Sequence, residues 1–228
     1  MVNLIVDVRR DETRALLWSF AYFFCLLCSY YILRPVRDEM GIQGGVKNLQ
    51  WVFTGTFVAM LVAVPIFGAV AARVRRKTLL PIVYYFFIVN LLIFYVLLAS
   101  GTSATYVARA FFIWVSVFNL FVVSVFWSFM TDVYHPSQSK RLFGVLAVGG
   151  TLGAISGSLI TSLLAVPFGT INLLLLSGLF LELASRASGA LGRREGVLAH
   201  AAAVDHVQGE PDGKGEEVIG GGVLEGVG

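Results

Sequence analysis

Long apolar runs, separated by short polar or basic stretches, dominate the chain from Ala15 onward. A membrane-crossing helix needs about 20 mostly apolar residues, because the hydrocarbon core is about 30 Å thick and each helical residue rises about 1.5 Å. Six runs are long enough: residues 15–33, 49–72, 79–100, 105–131, 142–166 and 168–185. Alternation at period two is absent from them, and they exceed the roughly 9–11 residues of a membrane strand. Buried helices of a water-soluble fold do not recur at this length six times in succession. The pattern predicts an all-α membrane protein: a polar start over 1–14, a six-transmembrane-helix bundle over 15–185, and a polar tail over 186–228.

Composition agrees with a lipid solvent. Apolar and aromatic residues make up 57% of the chain and charged residues 14%, against about 25% charged in an ordinary soluble domain. The bilayer is therefore the first partner expected, since membrane proteins are apolar outside as well as inside. The net charge of +3 is scattered in short clusters and forms no basic stripe, which excludes a nucleic-acid footprint.

The placement of basic residues predicts the topology. Arg73, Arg75, Arg76 and Lys77 lie between spans two and three, Lys140 and Arg141 between spans four and five, and Arg186, Arg193 and Arg194 after span six. Arg9, Arg10 and Arg14 precede span one. The opposite connections, Ser100–Ala104 and the turn at Pro167, carry no charge, and only the first outer loop has a clear basic residue, Lys47. Both termini are expected in the cytoplasm, with the chain multi-pass in the inner (plasma) membrane. Met1–Arg14 mixes acids and bases and does not resemble a cleavable leader. The Gly- and Glu-rich stretch 209–217 reads as a disordered linker, and the ending reads as the approach to a seventh helix cut short.

Few residues carry chemistry. In Tyr30–Met40, Arg34, Arg37 and Asp38 fall at i, i+3 and i+4, on one helical face at the outer end of span one, with Pro35 between them. Charges at that depth must pair, snorkel or face water. Two readings stay open: a snorkelling helix end, or an anion site in which Arg34 or Arg37 binds a carboxylate or phosphate with Asp38 as partner or coupling group. Arg109, one turn inside span four, divides in the same way. Asn119, in mid-span, is expected to bond a neighbouring helix, and Glu182 to pair with Arg186 at i+4. Gly149, Gly153 and Gly157 recur every four residues, the spacing that brings two helix backbones close. Arg73, Arg75, Arg76 and Lys77 set topology and could also form a cytoplasmic gate. Cys25 and Cys28 read as small apolar side chains, and His135, His200 and His206 are scattered. No catalytic set, metal site or cofactor site is expected, so the chain is not read as an enzyme.

Two stretches, Ser29–Gly41 (SYYILRPVRDEMG) and Phe126–Gly157, resemble the bacterial and plastid ATP/ADP exchange translocases and their bacterial relatives. The six spans, the short basic connection after span two and the polar tail resemble the amino-terminal half of a major facilitator transporter. The resemblance implies a secondary active transporter that exchanges nucleotides by alternating access between two six-helix halves, so a second half is an expected partner and a small anionic solute the expected cargo. By its motif, Arg37 takes the place of a basic residue implicated in nucleotide binding, with Arg34 and Asp38 beside it. One departure stands out: the exchangers carry an acidic residue in the fourth helix, and none lies between Tyr106 and Met130. The alternative expectation is a non-transporting truncated remnant or a partner-binding membrane subunit.

Overall fold

The computed structural model describes residues 13–43, 45, 49–74, 76–101, 104–134 and 136–208, with backbone alone for 76–78, 104, 136–138 and 194–208. Within these it is all-α: α1 (Thr13–Gln43), α2 (Leu49–Arg73), α3 (Arg76–Ala99), α4 (Ala104–Val133), α5 (Pro136–Phe168), a short 3₁₀ turn (Thr170–Asn172) and α6 (Leu173–Gln208). Six of the helices are long and apolar enough to cross a membrane. The chain is a multi-pass membrane protein. It divides into two units, Met1–Arg193 and Arg194–Gly228, the second containing the last turns of α6.

Several helices outrun the sequence-based limits. α1 does not stop at Leu33 but passes Pro35 unbroken to Gln43. Proline removes one backbone bond there, yet Val36, Met40 and Gly41 beyond it are buried and hold the last turns in place. At 31 residues, α1 is about 46 Å long, longer than the roughly 30 Å hydrocarbon core. α5 begins at Pro136, where a missing N–H is harmless, and ends at Phe168. The turn follows at Gly169, not Pro167, because Gly169 takes φ 82°, which glycine adopts without a Cβ clash. α6 starts later than 168 and continues far past Ser185. Ala184, Ala187, Ser188 and Leu191 form a buried stripe at helical spacing, and alanine and leucine favour the helix.

The connections between successive helices are short, so neighbours in sequence run antiparallel. α1, α3 and α5 therefore finish at one end of the bundle, called here the exit end. α1 is the central helix: it packs most extensively along α5 and then against α4, while α4 also packs against α2 and α3.

The α1–α5 seam has a regular register. A Cβ on Gly149 would stand 2.8 Å from the Phe20 ring and one on Gly157 2.6 Å from the Cys28 carbonyl oxygen, while one on Gly153 would strike the Phe24 carbonyl. Thr161 continues the series, its hydroxyl reaching the Ile32 carbonyl at 3.4 Å. Each step of four on α5 meets a step of four on α1, so the two helices run parallel in backbone contact. With no hydrophobic drive between helices in lipid, such close packing supplies much of the attraction.

Polar bonds add to the seams around α1. The Ser29 and Ser177 hydroxyls lie 2.8 Å apart across α1 and α6, Ser19 and Tyr134 meet at 2.9 Å, and the Tyr22 and Tyr84 hydroxyls bond across α1 and α3. All but the last turn of α2 is the reverse case. Val52 is its only buried residue, and Phe53, Phe57, Leu61 and Ile66 lie on its surface. In water that face would be untenable; in a bilayer it is the lipid boundary.

Candidate functional site

The charges Arg34, Arg37, Asp38 and Glu39 of α1 gather in its last turns, at the exit end. Arg37 is mostly sheltered and Asp38 open, with 20% and 53% of their side chains exposed. The Arg37 Nε and Nη2 both donate to the same carboxylate oxygen, Asp38 Oδ1, at 3.0 and 2.7 Å. The pairing runs sideways between neighbours in sequence. Asp38 takes its partner from Arg37 and not from Arg34 one turn back. Arg34 is exposed and lies 5.7 Å from the Tyr31 ring centre on its own helix.

Arg37 also rests on α4. Its guanidinium carbon lies 5.1 Å from the centre of the Phe112 ring, close enough for a cation–π attraction. Phe112 fits there because Gly41 has no side chain: a Cβ would stand 2.9 Å from the Phe112 ring. Phe53 of α2 packs edge-on against the same ring, centres 5.5 Å apart. One turn earlier on α4, Arg109 stacks on Tyr106 at 5.9 Å and borders a cavity of about 190 Å³ with Trp51, Val52 and Ile113. Arg37 of α1 thus rests on the Phe112 wedge of α4, and Arg109, one turn earlier on α4, borders Trp51 and Val52 of α2. Sequence reasoning missed Phe112 and Gly41. An aromatic one turn after an arginine was the only available signal, and it is common in membrane helices.

The remaining sequence-derived residues fall elsewhere. Gly149, Gly153 and Gly157 lie along α1, remote from Arg109. Arg73 is exposed at the end of α2; Arg75 lies outside the described residues, as do the side chains of Arg76 and Lys77. Lys47, His135 and the side chains of His200 and His206 are also outside them. Glu182 accepts a bond from Arg186 Nε at 2.9 Å, the i, i+4 pair its spacing implied. Asn90 donates to the Phe86 carbonyl of its own helix at 2.8 Å. Asn119 corrects an expectation: half-buried midway along α4, it makes no hydrogen bond to a neighbouring helix among the described residues.

Chemically, the exit-end cluster can hold an anion. A guanidinium already dressed by one carboxylate oxygen keeps further N–H donors, and Asp38 is exposed enough to swing aside. Comparison with protein-family models, with curated proteins and with solved structures finds no match to this chain.

Proposed function

We propose that this chain is the amino-terminal six-helix bundle of a secondary active carrier of major facilitator type, moving an anionic solute, with a nucleotide as the first substrate to try. The observation that carries the reading is Arg37, held mostly sheltered on Phe112 of α4 and neutralised by Asp38. An arginine confined at a helix junction and paired with a movable acid suits exchange of one anion for another. In the empty site Asp38 occupies the fork; an arriving phosphate or carboxylate displaces it. Arg34 and Arg109 add positive charge nearby.

Two further features support the reading. Taking α1–α3 and α4–α6 as two triplets, the first helix of each packs on the second helix of the other: α1 on α5, α4 on α2. That exchange is expected of two inverted three-helix repeats. Asn119 presents a half-buried amide at mid-span with no hydrogen-bond partner among the described residues, a costly arrangement in lipid. Water in a translocation path, or a second six-helix half, would satisfy it. Under this reading both termini are cytoplasmic, the exit end is outside, and Arg73, Arg75, Arg76 and Lys77 close the cytoplasmic side.

Binding of labelled ATP, citrate and phosphate to the purified chain in detergent, followed by uptake into cells producing it, tests the proposal. Arg37→Ala should weaken binding by about 10–100-fold, the loss expected for a charge-assisted contact, while Asp38→Asn should bind at least as well as wild type. Equal affinity in wild type and Arg37→Ala would remove Arg37 from the site. Failure of the wild type to bind any of the three anions would remove the anion reading.

A further inference from the structure

We infer that the exit end carries a second, separate site, for an organic ammonium group. A cavity of about 430 Å³ opens between the ends of α1 and α3 and the turn joining α5 to α6. Its size falls in the range of small-molecule sites, about 300–1,000 Å³. Glu39 is the one charged side chain among the described residues that line it, and no lysine or arginine is among them. Gln43 Nε2 donates to Glu39 Oε1 at 3.2 Å and steadies the carboxylate.

The backbone adds to the negative potential. α1, α3 and α5 all finish around this cavity, and each helix C-terminus carries about half a negative charge, of which the start of α6 just past Asn172 offsets one share. The wall is built, not incidental. The Tyr95 hydroxyl donates to Asn172 Oδ1 at 3.3 Å, and Asn172 Nδ2 donates to the Phe168 carbonyl at 2.6 Å. These bonds tie α3 to the α5–α6 turn, whose shape depends on Gly169 at φ 82°. Met40, Leu98 and Ile171 supply an apolar lining beside the acid.

A carboxylate, three helix C-termini and an apolar wall together select a cation with an alkyl body. A small metal ion would need more oxygen ligands at short range than one carboxylate supplies, and an anion would meet the Glu39 carboxylate with no cationic side chain among the described lining residues. The site is independent of the anion reading. Glu39 lies two residues beyond Arg37, about 200° around the helix, and lines a cavity with α3, whereas Arg37 packs on α4. The ammonium comes from a free amine or from the headgroup of an aminophospholipid.

The test uses the full chain in an amine-free maltoside detergent, with n-butylammonium as probe, butyrate as the anionic control, and mass spectrometry for phosphatidylethanolamine retained from the membrane. Wild type should bind butylammonium saturably and butyrate not at all. Glu39→Gln, with an unchanged circular dichroism melt, should bind the amine about tenfold more weakly or worse. Retained phosphatidylethanolamine that disappears in Glu39→Gln, without binding of the free amine, supports the site and assigns the lipid as its source. Leu98→Trp fills the cavity while keeping Glu39, and decides the matter if Glu39→Gln does not fold. The inference is overturned if wild type holds neither probe amine nor lipid, if butyrate binds as well as butylammonium, or if the folded variants bind like wild type.

Discussion

Gly153→Leu should abolish the folded bundle. A Cβ at this position would run into the Phe24 carbonyl of α1, and a backbone atom cannot rotate away as a side chain can. The larger side chain must push α5 off α1 along the most extensive seam in the structure. Overpacking into a yielding core costs about 1–3 kcal/mol. Here the obstacle is rigid and the lost contact includes Gly149, Gly157 and Thr161 on either side, so the loss should exceed about 3 kcal/mol. Gly144→Ala and Gly178→Ala are the controls. Nothing lies within 4 Å of a Cβ at either position, and alanine should stabilise the helix by up to about 1 kcal/mol. Thermal unfolding in detergent, followed by circular dichroism and size-exclusion chromatography, reads the difference. A Gly153→Leu chain that elutes and melts like wild type would refute the backbone seam.

Leu61→Asp should have an effect of similar size for a different reason. Leu61 is at the middle of the 25-residue α2 and 64% exposed. If water bathed that surface, the exchange would cost no more than about 0.5 kcal/mol. In lipid, an aspartate at the centre of a span costs about 2.5–3.5 kcal/mol. The ratio of inserted to uninserted α2, read from glycosylation sites placed on either side of it, should fall by about 100-fold. Thr54→Asp, nearer the helix end, should cost less because the charge can reach the headgroups. Insertion of Leu61→Asp equal to wild type would place α2 somewhere other than lipid.

The number and type of the helices were legible because lipid imposes a minimum apolar length, and length is a property of sequence. The ends were less legible. α1 outlasts Leu33 because burial of Val36, Met40 and Gly41 holds turns that Pro35 weakens, and burial is a property of the assembled bundle. α6 outlasts Ser185 because its alanines and Leu191 remain on a buried stripe while the exposed positions turn polar, which lowers the average hydropathy without ending the helix. The spacing of Gly149, Gly153 and Gly157 announced a close seam but could not name α1 as its other side. Similarly, the arginines stood out in the sequence, whereas Phe112, which gives Arg37 its seat, is one of 18 phenylalanines and is distinguished only by the gap at Gly41. Asn119 was less legible, because an amide in a span signals a hydrogen bond without fixing which helix supplies the partner.

The account depends on lipid being the solvent of the outward faces. A nitroxide attached at Val89→Cys, midway along α3 and on its exposed side, in a chain with Cys25 and Cys28 replaced by serine and reconstituted into vesicles, measures that directly. Dissolved oxygen, which concentrates in hydrocarbon, should relax the label strongly, and a water-soluble nickel complex should scarcely touch it. Strong relaxation by the nickel complex, at the level of a label on an unfolded peptide in water, would contradict the account.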